Sequence, residues 1–140
     1  MENTKQKQLI CCYGTLRRGF GNHRIISNAD YLGTFNTEPI YNLHDLGGFP
    51  GLKNGGETSV VMEVYAVTDE EAYHVDCLEG YSPGGNNTFY DKETISTPFG
   101  DAGVYIYVRS LNDLPLVESG DYYLAKKGKI SEEHLDLTTI

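Results

Sequence analysis

The chain has no tryptophan, two methionines and three cysteines, and its basic residues are barely half as numerous as its acidic ones. Each shortage excludes something. Eleven Lys and Arg against twenty Asp and Glu leave a formal net charge of −9. No broad basic face is available for nucleic acid, and adsorption to an anionic membrane surface is disfavoured. Three cysteines are an odd count without C-x-x-C spacing, and Cys11 and Cys12 are adjacent, so a strand would point them to opposite faces. Neither a disulfide framework nor a zinc site is expected, and all three read as buried spectator thiols in a reducing cytoplasm. The four histidines show no H-x-x-H or H-E-x-x-H spacing, so no metal is expected. No apolar run approaches the ~20 residues of a membrane span. The opening MENTKQKQLICCYG lacks the apolar core and small-residue cleavage site of a secretory signal.

What is present reads as one domain over residues 1–140, with a core from about 8 to 125 and a loosely held last ten residues. QLICCYG is an opening strand stopped by glycine, and NHRIISN (22–28) forms a short helix. The segment from Ala29 to Glu57 alternates strand-like pieces with Gly, Pro and Asn turns, the pattern of hairpins. TSVVMEVYAV is the clearest strand. Val60, Met62, Val64 and Ala66 share one face and Val61, Glu63, Tyr65 and Val67 the other, so the strand is apolar on both sides and central. One helix follows, from Asp69 to about Glu79. Thr68 and Glu71 form a T-x-x-E capping box, acidic residues fill the first turn, and Gly80 ends it. TFYDKETIST and AGVYIYVRS form a strand pair joined by PFGD, and the tail is partly irregular. Five to seven strands around one good helix predict an α+β domain with a closed or partly closed sheet.

The loop after the first strand, CCYGTLRRGFGNH, carries chemistry. Gly14 and Gly19 have the P-loop separation, but Phe20 and Gly21 stand where Lys and Ser/Thr belong. Gly19-x-Gly21 is followed by Arg24 instead of the third glycine of a dinucleotide fingerprint. What remains is a strand end whose backbone N–H groups at Gly14, Thr15 and Leu16 can hold a carboxylate or a carbonyl oxygen. Equally, the loop can be a surface turn with solvated arginines.

The helix DEEAYHVDCLE presents a second feature. At 100° per residue, Ala72, Val75 and Leu78 form its buried stripe, Glu79 lies close to that stripe, and His74 points to water. A carboxylate facing inward at a helix C-terminus has its pKa raised by burial and by the helix dipole. Raised carboxylates suit acid–base work near neutral pH. Taken alone, Glu79 can also swing out into solvent at the helix end. Cys77 points away from it by about 160°, which speaks against a Cys–His nucleophilic pair.

Together, YGTLRRGFGNH, MEVYAV, VDCLEGY…FYDK and SGDYY resemble, in order, the gamma-glutamylcyclotransferase-like (AIG2-like) family. The resemblance spans roughly Leu9 to Tyr123 and implies a small mixed, barrel-like β-sheet with flanking helices. It implies cyclisation of a gamma-glutamyl group to 5-oxoproline with release of the amine, and no metal or organic cofactor. Glu79 corresponds to the family's catalytic glutamate, and Tyr13, Gly14, Thr15 and Leu16 to its glutamyl-binding loop. Tyr90 and Tyr123 are candidate pocket residues, with core or rim packing as their alternative. A binding module that holds a small amino-acid-like ligand in the same pocket without turnover is the alternative to an enzyme. The partner expected is a small molecule.

Some positions depart from the family pattern. Met62 replaces a glycine, Lys92 an arginine and Tyr122 or Tyr123 a tryptophan, and GYSPGGNNTF makes a longer loop after Glu79 that can gate the site or reshape the acceptor pocket. Glu63 reads as a hydrogen-bonded structural carboxylate. Arg17 and Arg18 have no assigned purpose. The acidic surface favours a cationic amine weakly, through steering. Oligomeric state is not legible.

Overall fold

A computed structural model describes residues 7–82, 84, 85, 89–111, 113–129 and 131. Strand β1 (Lys7–Cys12) is followed by a 3-10 helix (Gly21–Ile26), then β2 (Asp30–Asn36), β3 (Tyr41–Asp45), β4 (Pro50–Asn54) and β5 (Val61–Thr68). Helix α1 (Asp69–Glu79), β6 (Tyr90–Thr97), β7 (Gly100–Tyr107) and α2 (Tyr122–Lys127) complete the order. Five strands form one mixed sheet in the order β2-β5-β1-β7-β6, in which only β1 and β7 run parallel. The β3–β4 hairpin is a separate two-stranded sheet that packs against β7. The architecture is α+β and mixed, as expected.

Alternation along the strands separates two cores. Cys11, Met62, Val64, Val104 and Ile106 pack on one side with Leu43 and Leu52 of the hairpin. On the other, Ile10, Cys12, Tyr65, Val67 and Tyr105 meet Ala72 and Val75 of α1 and Ile26 of the 3-10 helix. Cys11 and Cys12 thus fall in different cores, because successive strand residues face opposite ways. β5 is an interior strand whose two faces are both buried, which is why its sequence is apolar on both.

Local signals place α1 well. Thr68 Oγ1 accepts from the Glu71 amide at 3.2 Å, Glu71 Oε1 accepts from the Thr68 amide at 2.8 Å, and Gly80 closes the helix at φ 70° in the left-handed region. The short helix expected over 22–28 is a 3-10 helix, Gly21–Ile26, with no side-chain cap at its N-terminus. Two expectations are corrected. Leu78 leaves the buried stripe and is 39% exposed, at the rim of the cavity described below. Cys77 is likewise exposed and is not a buried spectator. The tail also contains a helix, α2, capped by Asp121, whose carboxylate accepts from the Leu124 amide, and ended by Gly128. The loosely held last ten residues lie outside the described residues, apart from a buried Ser131. Four positions of the GYSPGGNNTF loop (83 and 86–88) also lie outside them.

Candidate active site

Where β1 ends, Cys12 passes into Tyr13-Gly14-Thr15-Leu16 beside the C-terminal end of α1, and a cavity of about 480 Å³ opens between them. Tyr13, Gly14, Thr15, Leu16, Glu79 and Tyr90 all line it. Residues 66 positions apart, at Tyr13 and Glu79, meet because β1 pairs with β5 and α1 runs back from the end of β5. Pro50 supplies the facing wall. A Cβ built on Gly14 would lie 2.6 Å from Pro50 Cγ, so only glycine allows this approach.

The loop is held from below. Its chain turns through an Arg17 amide bond to the Gly14 carbonyl at 3.0 Å. The Arg17 side chain, 0% exposed, then donates Nε to Glu63 Oε2 at 3.0 Å, Nη1 to Asp121 Oδ1 at 2.9 Å and Nη2 to Ser131 Oγ at 3.3 Å. Glu63, also 0% exposed, accepts from the Arg18 amide at 3.0 Å and the Tyr65 hydroxyl at 2.7 Å. The solvated-arginine reading of the loop therefore fails for Arg17. It anchors the loop to β5 and α2, and Glu63 is the structural carboxylate expected. Asn22 Nδ2 donates to Thr15 Oγ1 at 3.0 Å from the far side. Among the described residues no acceptor takes the Gly14, Thr15 or Leu16 amide hydrogens.

Glu79 is the electrostatic opposite of Glu63. It is half-buried, and among the described residues no group donates a hydrogen bond or ion pair to its carboxylate. Burial, with the negative Asp76 one turn earlier as a lesser cause, pushes its pKa up to about 7. Asp76 is itself held by the Tyr105 hydroxyl at 2.5 Å and by Lys92 Nζ at 3.2 Å. The walls are neutral. Burial raises the phenols of Tyr13, Tyr90 and Tyr105, with the Glu79 charge adding to each. The Tyr13 hydroxyl donates to the Tyr105 carbonyl and the Tyr90 hydroxyl to the Pro50 carbonyl, both at 2.8 Å. A neutral, walled cavity with free amides at one place and one unpaired carboxylate at another can bind an anion and move a proton beside it.

Tyr123 is the exception among the expected residues. It does not line the cavity but packs edge-on against Phe20 at 5.7 Å and over Gly19, because α2 lies below the loop. Lining residues that sequence reasoning passed over include Asn22, Phe49, Pro50 and Tyr105. Asn22 stands in the YGTLRRGFGNH segment that carries the family resemblance and was readable there. The others come from chain segments that carry no local signal and converge only through the hairpin and β7. Among the described residues no group of three or more His, Cys, Asp or Glu side chains converges as metal ligands, and no helix is long and apolar enough to cross a membrane.

Comparison with known proteins bears on this geometry. The family profile described as "Gamma-glutamyl cyclotransferase, AIG2-like" matches residues 10–124. The gamma-glutamylcyclotransferase family protein YtfP of Escherichia coli strain K12 is 38% identical over 113 residues, covering 81% of this chain and 94% of its own. A Vibrio cholerae serotype O1 protein, whose name gives gamma-glutamylcyclotransferase as a provisional activity, is 40% identical over 116 residues, 83% of this chain and 96% of its own. The solution structure of Escherichia coli ytfP superposes with a TM-score of 0.67 at 35% identity, covering 87% of this chain and 100% of that one.

Proposed function

The chain belongs to the gamma-glutamyl cyclotransferase, AIG2-like family, and from that premise we propose that it converts a gamma-glutamyl amine into 5-oxoproline and the free amine without a cofactor. One observation carries the reading: Glu79 stands in the cavity with no partner among the described residues and a pKa of about 7. A residue kept for packing would be paired or neutralised. A carboxylate half-ionised near neutral pH can both take and return a proton.

The reaction follows from these parts. The substrate's α-ammonium first loses a proton to solvent, and its nitrogen lone pair attacks the γ-carbonyl carbon, closing a five-membered ring. A proton on the attacking nitrogen passes to ionised Glu79. The bond from carbon to the departing nitrogen breaks as Glu79 returns that proton to it, and the amine leaves neutral, to be protonated by water. The Gly14, Thr15 and Leu16 amides are the donors for negative charge, at the α-carboxylate on binding and at the γ-carbonyl oxygen during attack. The neutral wall of Tyr13, Tyr90 and Pro50 keeps the glutamyl chain folded back for ring closure.

The test is a panel of gamma-glutamyl amines assayed for 5-oxoproline, with Glu79→Gln as comparison. Turnover by the native chain and a drop of about 10²–10⁴-fold in the variant support the reading. Absence of 5-oxoproline leaves the alternative, a binding module using the same pocket. Equal product from both proteins removes Glu79 from the role.

A further inference from the structure

Nine large hydrophobic residues are exposed among the described residues, and three of them, Phe49, Leu78 and Phe89, line this one cavity. They are 40%, 39% and 44% exposed and come from three different segments: the residue before β4, the last turn of α1 and the residue before β6. Single exposed hydrophobics need no explanation, but three that converge from separate segments on a cavity mark a binding surface. The cavity's charge distribution is equally one-sided. Among the described residues Glu79 is the only carboxylate that lines it, and no Lys, Arg or His does. Arg109 lies 4.9 Å over the Phe89 ring without lining the cavity.

Resting on the cyclotransferase reading, the geometry points to a substrate whose departing amine is apolar: the gamma-glutamyl conjugate of an alkyl or aralkyl amine that carries no carboxylate and no second ammonium. If the glutamyl group lies at the loop amides, the departing nitrogen must reach Glu79. Leu78 and Gly80 flank Glu79 in the chain and both line the cavity, so the amine's substituent runs along Leu78 toward Phe49 and Phe89. Gly80 offers it no side chain and no charge. A carboxylate or ammonium on that substituent would exchange water for this apolar wall and find no counter-charge among the lining residues, which costs affinity. The acidic surface favours cationic substrates at long range, but the wall decides what is held. One methylene held by an apolar wall is worth about 10–200-fold in discrimination, which sets the scale of the preference expected.

Four substrates with departing alkylamines test it: the gamma-glutamyl conjugates of n-butylamine and phenethylamine against gamma-glutamylglycine and Nε-(gamma-glutamyl)lysine. We expect kcat/KM for 5-oxoproline release to be at least about 10-fold higher for the first two. Phe49→Ala and Leu78→Ala are expected to shrink that ratio several-fold, and Leu78→Arg to move it toward gamma-glutamylglycine. Equal or reversed preference in the native chain overturns the inference while leaving the cyclotransferase reading intact. An unchanged ratio in all three variants overturns it as well, since the wall then plays no part. No 5-oxoproline from any of the four overturns the cyclotransferase reading, and this inference with it.

Discussion

Glu63 and Glu79 sit sixteen residues apart, one on β5 and the other at the end of the helix that follows it. Glu63 is fully buried and Glu79 half-buried, and their surroundings differ. Glu63 is saturated by the Arg17 guanidinium, the Arg18 amide and the Tyr65 hydroxyl. Glu79 has no donor among the described residues and titrates near 7. Paired burial holds a charge in place and makes a carboxylate structural, while unpaired burial leaves a proton equilibrium poised for use. The two are also linked, since Glu63 and Arg17 hold the loop that faces Glu79 across the cavity.

The largest effect expected from breaking this contrast is on turnover. Glu79→Gln keeps shape and loses the proton shuttle, lowering 5-oxoproline formation by about 10²–10⁴-fold, whereas no such isosteric loss is expected to arise from chemistry at Glu63. Next comes stability. Arg17→Met removes the guanidinium from buried Glu63 and Asp121, and denaturant titration is expected to show a loss of about 3–5 kcal/mol. A loss under 1 kcal/mol would mean that the network is worth no more than an exposed pair.

The unpaired carboxylate predicts the reverse sign. The folded pKa of Glu79, about 7, lies above the ordinary 4.5, so its native-state stability is fully present below about pH 4.5 and declines as pH rises through 7. Glu79→Gln removes that decline. The variant is expected to be more stable above pH 7, by on the order of 1–3 kcal/mol, with no gain at pH 4. A gain that did not depend on pH would come from something other than this ionisation. The smallest effect sharpens the same point. Asp76→Asn removes the neighbouring negative charge that helps raise Glu79, so the rising limb of the pH–rate profile is expected to move to lower pH. A limb that stayed in place would make burial the sole cause.

Much of the frame was legible in the sequence. α1 was bounded by the Thr68–Glu71 box and Gly80 because capping is local chemistry within a few residues. Strand β5 showed its two buried faces through composition alone. The loop and Glu79 could be paired only through an ordered set of motifs, since nothing in the local pattern says that residues 13–16 and 79 meet. The burial of Arg17 was not legible because arginine is seldom buried, and it depends on Glu63, Asp121 and Ser131 arriving from three distant segments. Tyr123 was placed in the pocket by motif order, but α2 carries it beneath the loop.

What the sequence by itself determined, then, was local: where helices and strands begin and end and which faces are apolar. Those properties follow from side chains acting on backbone within a few residues. Tertiary structure alone decided which carboxylate would be paired and which left free. Pairing depends on distance in space, and β1, β5 and α1 bring a cation to Glu63 while among the described residues they bring none to Glu79.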